Sequence, residues 1–387
     1  IVGCAPEIVP GRLDCSSRAM RNRDIHHPSW LPPHCPNSSC KYHNDLHERW
    51  PFKRMGYYWR QAQPKRIRRF RCLHCGVSFS SQTFSTTYYL KRPDVLPRLM
   101  TLSVGCMANR QIADHLQVSP TTVDRQLDRL GRHCLAFHAQ MMHDHRPPHM
   151  IAIDGLESFE LSQYFPFHFH VAVDCTTGLF LHFTDSPLRR KGSMKPEQRA
   201  RREELEAQFG RPDPQAVRKD IQELLETVTR GAARITIRSD GHKSYPPAIR
   251  QLRAMVRHEV TSSEDYRDRH NPLYEINLLD LLIRHGQANH KRETIAWAKR
   301  RQRAALRLAV FLVWRNYVRP RWKKRCDETP AMQAGLMSRA MTVEEVIARR
   351  LFVAKVGLAE RWSQYYWGKV GTPALGVNLM HQMKRAA

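Results

Sequence analysis

The sequence has 387 residues, of which 41% are hydrophobic, and its 63 Lys and Arg residues outnumber 36 Asp and Glu residues. This length suffices for two or three domains with a substantial buried core. The formal net charge of +27 predicts a polyanionic partner, above all nucleic acid. No apolar run approaches the ~20 residues that a membrane-spanning helix needs, and residues 1–10 do not resemble a signal peptide. We therefore expect a cytoplasmic protein that does not enter a membrane.

Two close cysteine pairs follow a Pro-, Arg- and His-rich lead-in, residues 1–33, for which we expect little order. Four thiolates in two such pairs can complete the tetrahedral shell of Zn²⁺, so residues 34–86 are predicted to form a zinc ribbon. His43 or His47 is an alternative to one of the thiols. The four predicted ligands are Cys35, Cys40, Cys72 and Cys75.

The stretch between the two cysteine pairs is strongly basic. From Glu48 to Arg71 there are nine Lys or Arg residues and one acid. A solvated charged surface usually mixes both signs, so this bias predicts contact with the phosphates of DNA. The candidate contacts are Arg68, Arg69 and Arg71.

Residues 87–140 carry the pattern of a helix-turn-helix domain. One amphipathic helix begins at Asn109, and a second begins at Pro120 after Ser119, a good N-cap. Packing through Val123 and Leu127 would leave the outer side of the second helix free to enter the major groove of duplex DNA. The residues predicted to face outward there are Thr121, Thr122, Arg125 and Gln126.

Two β-branched runs that each end in Asp-Gly dominate the next segment. They deliver Asp154 and Asp240, and a hairpin and a helix lie between them in the sequence. This order is typical of a ribonuclease-H-like fold, in which the two strands lie side by side and the two carboxylates meet. We thus predict an α/β domain over residues 148–325, with a mixed sheet, flanking helices and a charged insertion at 188–212.

Two magnesium ions that activate a nucleophile and stabilise a leaving oxygen need at least one more carboxylate. A predicted helix downstream offers Glu275, near the middle of a face formed by Leu278, Leu279, Leu282 and Ile283 at ~100° per residue. We take Glu275 as the third ligand, with Asp280 as the alternate, because Asp280 points away from that face. Glu293 is disfavoured since basic residues surround it.

Residues 291–325 contain thirteen Lys or Arg residues and one acid. A long helix there presents an apolar side to the core, and we expect Lys299, Arg300 and Arg303 to lie along DNA. Residues 326–387 are predicted to form a small helical tail.

Zinc ribbon, helix-turn-helix and Asp154…Asp240…Glu275 together resemble the DDE transposases of bacterial insertion sequences, over roughly residues 35–325. The sequence segment from Arg292 to Lys299 is also similar to the corresponding segment of that group. The resemblance implies Mg²⁺-dependent nicking and joining of double-stranded DNA at element end repeats and target sites, by a homo-oligomer, with Mn²⁺ able to substitute. The alternatives are a zinc-dependent DNA-binding regulator with an inactive core, and a nuclease of this fold without strand transfer.

Overall fold

The computed structural model describes residues 25–44, 49–262, 264–291, 294–322, 327–348 and 350–378. Most of the predicted lead-in, together with His47 and Glu293, therefore lies outside the described residues. Within the described ranges no helix is both long enough and apolar enough to cross a lipid bilayer.

The four paired cysteines belong to a small three-stranded antiparallel sheet. It contains β1 (Phe52–Trp59), β2 (Arg66–Cys72) and β3 (Ser78–Ser80), in the order β1-β2-β3, and the one-turn helix α1 (Lys41–Asn44) precedes it. Its apolar core is formed by Phe70, Phe79, Phe84 and the cysteines, and Phe352 from far along the chain completes it. Such a small core leaves most of β1 exposed to solvent.

Three helices follow: α2 (Val95–Val104), α3 (Asn109–Leu116) and α4 (Pro120–Met141). The turn between α3 and α4 uses Gln117 in a left-handed conformation, φ 52°. The Ser119 hydroxyl caps α4 by accepting from the Thr122 amide at 3.2 Å. The first half of α4 packs on α2 and α3, whereas its second half lies in the main core of the protein. One rigid helix of about 33 Å, at 1.5 Å per residue, therefore joins the two regions.

The central sheet has five strands in the order β6-β5-β4-β7-β8. β4 (Met150–Phe159), β5 (Pro166–Asp174) and β6 (Phe180–Pro187) are antiparallel, while β7 (Arg234–Ser239) and β8 (Met255–Val260) continue from β4 in parallel. The prediction of an α/β fold with a mixed sheet and flanking helices is confirmed.

Helices cover this sheet and connect it to the N-terminal region. The predicted charged insertion contains α5 (Pro196–Phe209); α6 (Ala216–Val228) packs on β5 and β6, and the short α7 (Tyr245–Ile249) follows β7. The helix α8 (Tyr274–Gly286) packs on β4 and β5, and α9 (Arg301–Val313) packs along α4.

The C-terminal segment holds the other parts of the protein together. It contains α10 (Pro330–Gln333), α11 (Val343–Ile347), α12 (Val353–Val356) and α13 (Glu360–Trp367). Phe352 packs into the cysteine-bearing unit, His133 of α4 bonds the Val346 carbonyl oxygen at 2.7 Å, and the Trp362 indole donates to the Phe183 carbonyl of β6 at 2.9 Å. The segment thus contacts all three regions in turn.

Candidate active site and nucleic-acid interface

The register of the central sheet brings Asp154 and Asp240 to the same position on neighbouring strands. Ala152 of β4 pairs with Arg238 of β7 in parallel, and two residues further along both strands reach the two aspartates. Parallel strands place their carboxyl ends at one edge of the sheet, which is where ligands bind in α/β folds. The Gly155 amide donates to Asp154 Oδ1 at 2.6 Å, and the His242 amide donates to Asp240 Oδ1 at 3.0 Å.

Asp280 of α8 is the third carboxyl group near this edge, because its charge and that of Asp154 influence each other's pKa. Burial raises the pKa of Asp280 well above its usual range, and the charge of Asp154 adds to the effect. Burial also raises the pKa of Asp154, with a further contribution from Asp240, although the Gly155 amide opposes it. Burial and the charge of Asp154 therefore both disfavour the ionised form of Asp280.

Tyr245 is a further member of the site that the sequence did not reveal. Its side chain is 3% exposed. Burial raises the pKa of its hydroxyl well above the usual value, and the three carboxylates add to this shift. Its ring centre lies 5.4 Å from that of His242, whose amide donates to Asp240. The signal available in the sequence was its place five residues after Asp240, at the start of α7.

Glu275 lies on the same helix as Asp280 but in different surroundings. Its Oε1 accepts from Arg321 Nη2 at 2.6 Å, and the two side chains are 13% and 10% exposed. Arg321 also donates to the Thr176 carbonyl oxygen at 2.8 Å. Gly178, with φ +67°, makes room for this ion pair, since a Cβ there would lie 3.0 Å from Glu275 Oε2. The carboxylate of Glu275 is thus occupied by an arginine, whereas that of Asp280 contacts Asp154.

Glu275 and Asp280 have different surroundings because α8 is rotated about its axis relative to the orientation predicted from the sequence. Its buried residues are Ile276, Leu279 and Ile283, which shifts the apolar face by about 60° from the one inferred through Leu278 and Leu282, at 100° per residue. Glu275 and Asp280 then lie on opposite flanks of the buried face, about 140° apart. The flank of Asp280 faces β4, and that of Glu275 faces Arg321.

The carboxylates at the sheet edge fit a divalent cation. Asp280 Oδ1 is buried and receives no hydrogen bond from the described part of the chain. Oxygen anions are the ligands that Mg²⁺ prefers, and a cation would remove the repulsion that raises both pKa values. Among the described residues, the four thiols are the group of metal-ligating side chains whose atoms all lie within 4.8 Å of one another.

The four paired cysteines converge on one point and could bind zinc. Cys35 Sγ lies 3.6 Å from Cys75 Sγ, and Cys40 Sγ lies 3.9 Å from Cys72 Sγ. Tetrahedral coordination with Zn–S bonds of about 2.3 Å gives sulfur separations of about 3.8 Å. Burial opposes ionisation of Cys72, but the Cys75 amide and the Trp50 indole, which donates at 3.3 Å, outweigh it and lower the pKa to about 7.

His43, the proposed alternative zinc ligand, lies beside the thiol cluster rather than in it. Its Nδ1 is 2.7 Å from the Cys35 carbonyl oxygen, so the ring contacts the backbone of one ligand. The four-residue group within 4.8 Å contains cysteines only.

The exposed face of β1 and β2 is both basic and aromatic. The guanidinium groups of Arg66 and Arg68 lie 3.8 Å and 4.9 Å from the centre of the Tyr57 ring. Trp59 is 73% exposed, and the side chains of Arg69 and Arg71 are also open to solvent. Aromatic rings and cations on one strand surface are typical of nucleic-acid interfaces.

The helix-turn-helix candidates divide into two groups. Thr121 and Arg125 are exposed and Thr122 is half-buried at the start of α4. Gln126 was expected to face outward, but it is only 4% exposed and its Oε1 has no partner within the described residues. The neighbouring positions on that side of α4 explain this: Arg129 donates to the Thr86 carbonyl oxygen at 3.0 Å, and the His133 ring lies 2.7 Å from the Val346 carbonyl oxygen. Residues that precede α2 and the C-terminal segment therefore cover the side of the helix that carries Gln126.

The candidates near α9 make contacts within the protein. Arg303 Nη1 pairs with Asp124 at 2.7 Å, and Arg300 Nη1 donates to the Gly376 carbonyl at 2.6 Å. Lys299 Nζ lies 3.8 Å from the ring centre of Trp297. Lys299 is exposed, while Arg300 and Arg303 are half-buried.

No protein-family model matches the sequence, and the comparison with curated proteins gave no match. Among solved structures, one chain of a cryo-EM structure of the simian T-cell lymphotropic virus intasome, in complex with PP2A regulatory subunit B56 gamma, is similar to this chain. The alignment covers 62% of this chain and 74% of that chain at 13% identity, with a TM-score of 0.23. A likeness at this score does not by itself assign a fold or a function.

Proposed function

We propose that this protein is a DDE-type transposase with a ribonuclease-H-like catalytic core, which binds DNA ends and catalyses strand cleavage and strand transfer. The observation that carries the proposal is the meeting of Asp154 and Asp240 from adjacent parallel strands with Asp280 from α8. In this proposal Asp280, rather than Glu275, completes the set of acids.

Asp154, Asp240 and Asp280 would hold two Mg²⁺ ions; the mutual influence of their charges on the pKa of Asp154 supports this assignment. Bound there, the ions would activate water or a 3′-hydroxyl and stabilise the leaving oxygen. The chain's own contribution is to fix the carboxylates on a strand, a strand end and a helix. A bound cation would compete with protons for Asp280, whose pKa burial raises, and Tyr245 is buried at the start of α7.

DNA binding would use the ribbon unit, residues 34–86, and the helix-turn-helix, residues 87–140. The net charge of +27 and the exposed face with Tyr57, Trp59 and Arg66 support a nucleic-acid partner. Thr121 and Arg125 at the exposed start of α4 would read base edges, as recognition helices do. Joining two DNA ends needs two copies of the site, so a homo-oligomer on DNA is part of the proposal.

The test is cleavage of duplex DNA taken from the regions that flank the coding sequence. We expect nicking that requires Mg²⁺ or Mn²⁺ and disappears in Asp240→Asn, while DNA affinity is retained. Cleavage by Asp240→Asn at the parental rate would overturn the assignment of the site. DNA binding without cleavage by the parent protein would favour a regulator, and cleavage without joined products would favour a nuclease.

A further inference from the structure

A basic cavity of about 170 Å³ lies between α4, α9 and the C-terminal segment, away from the three carboxylates. Two of its lining residues, Asp128 and Arg132, belong to the middle of α4. Arg300 and Arg303 come from the start of α9, and Asn378 closes the far side. Three guanidinium groups therefore surround one small volume that a single carboxylate shares.

The ion pairs around this cavity leave an excess of positive charge. Arg303 Nη1 lies 2.7 Å from Asp124 Oδ2, and its Nε lies 3.5 Å from Asp128 Oδ2. Arg300 donates only to neutral oxygens, the Gly376 carbonyl at 2.6 Å and Asn378 Oδ1 at 3.2 Å. Three arginines, with Arg132, against two aspartates give a net charge of 3 − 2 = +1, which matches one phosphodiester.

Arg132 is the lining residue best suited to hold a ligand. Its side chain is half-buried, and within the described part of the chain it makes no hydrogen bond, only an electrostatic attraction to Asp128. Loss of water around its guanidinium lowers its pKa. A cation withdrawn from water without hydrogen-bond acceptors is costly unless an anion supplies them.

The cavity is aligned with the part of α4 that would enter a DNA groove. Arg132 follows Arg125 by seven residues, so the two lie within about 20° of each other on the helix and about 10.5 Å apart along it. Thr121, four residues before Arg125, lies on the same side. This distance corresponds to about three base pairs at 3.4 Å per pair.

We propose that the cavity lined by Arg132, Arg300 and Arg303 binds one backbone phosphate of the DNA whose groove receives the start of α4. The proposal rests on the DNA-binding function proposed above. A phosphate held there would fix the register of the duplex against a helix that continues into the catalytic core.

The experiment compares Arg132→Gln in the full chain with the parent, by measuring duplex affinity as a function of salt concentration. Loss of one phosphate contact should weaken affinity about tenfold and reduce the slope of log K against log salt by about 0.9. The matched control is Arg218→Gln, because Arg218 is also half-buried but bonds only Gln215, on α6. Its slope should equal that of the parent.

Two further measurements cover the cases in which Arg132→Gln does not fold or the cavity binds a free anion. Arg300→Gln tests the same cavity if Arg132→Gln fails to fold, and it should also lower the slope. Inorganic phosphate tests for a free anion: stabilisation of the parent by phosphate, with unchanged DNA binding in Arg132→Gln, would overturn the assignment to DNA. If both variants bind DNA as the parent does, with an unchanged salt slope, the phosphate site in the cavity is refuted. The proposed DNA-binding function is not affected by that result. Absence of DNA binding in the parent would refute the proposed function itself.

Discussion

Asp280→Asn and Glu275→Gln form a pair of nearly isosteric changes that separates the two candidate third acids. Both residues lie on α8, on opposite flanks of its buried face. Asp280 contacts Asp154, and Glu275 pairs with Arg321. We expect the two variants to have opposite effects on the stability of the metal-free protein and on its response to Mg²⁺.

For Asp280 the sign follows from its raised pKa. A carboxyl group whose folded pKa lies above its unfolded value favours the folded state at low pH, and this contribution is lost as pH rises through the folded pKa. Removing the charge should therefore raise the free energy of unfolding of the metal-free protein by about 1 kcal/mol at slightly alkaline pH. The same change should abolish stabilisation by Mg²⁺, which in the parent reaches about 2.7 kcal/mol at 100 times the dissociation constant.

Glu275→Gln should lower the free energy of unfolding of the metal-free protein, the opposite of the effect expected for Asp280→Asn. Its loss leaves the guanidinium of Arg321, 10% exposed, without its charge partner. Breaking a buried pair in this way costs about 3–5 kcal/mol. Stabilisation by Mg²⁺ should be unchanged, because Glu275 does not contact Asp154 or Asp240.

The assay is urea unfolding of both variants and the parent, with Mg²⁺ and without added Mg²⁺. Zinc is kept saturated throughout, so that the cysteine site does not contribute to the difference. Retention of full Mg²⁺ stabilisation by Asp280→Asn, together with its loss in Glu275→Gln, would refute the choice of Asp280. Loss in both variants would show that α8 must be intact for binding, and Asp154→Asn would then decide whether the sheet edge is the site.

Three other predictions follow from the same contacts. Affinity for Mn²⁺ should increase with pH, with proton release on binding, because a cation competes with protons for Asp280, whose pKa burial raises; titration calorimetry in buffers of different ionisation enthalpy measures that release. Cys72→Ser, or strong chelation of zinc, should unfold the ribbon unit and reduce DNA affinity, whereas the same serine change at the solitary Cys106 should do neither. Phe352→Ala should cost about 3–5 kcal/mol and speed the release of zinc, measured with a chromogenic chelator, since Phe352 completes the core around the cysteines; unchanged release would show that the C-terminal segment does not support the ribbon.

The central sheet and the nearness of Asp154 to Asp240 could be anticipated from the sequence. Each acid ends or interrupts a β-branched run, and a hairpin and a helix lie between them in the sequence. The pattern of α8 was less informative, because leucines occupy nearly every side of that helix. Four of them, at positions 278, 279, 281 and 282, allow several choices of apolar face. Only packing against β4 and β5 fixes the rotation, and with it the surroundings of Asp280.

The other features that could not be predicted from the sequence depend on contacts between residues far apart in the chain. Gln126 follows an outward helical pattern, yet the same side of α4 bonds Thr86 through Arg129 and Val346, more than 200 positions later, through His133. Phe352 packs between the rings of His34 and Phe84, and no pattern in the neighbouring sequence predicts this packing. The C-terminal segment shows only weak helical periodicity, so the sequence predicts a tail. In the structure its aromatic side chains pack against three different regions of the protein.

The most direct measurement is anomalous X-ray scattering from crystals of the full chain grown with zinc and soaked in Mn²⁺. We predict zinc at the four thiols of Cys35, Cys40, Cys72 and Cys75, and manganese peaks at the sheet edge, coordinated by Asp154, Asp240 and Asp280. Manganese bound at Glu275, or absent from the sheet edge at concentrations that saturate binding in solution, would contradict the proposed catalytic site.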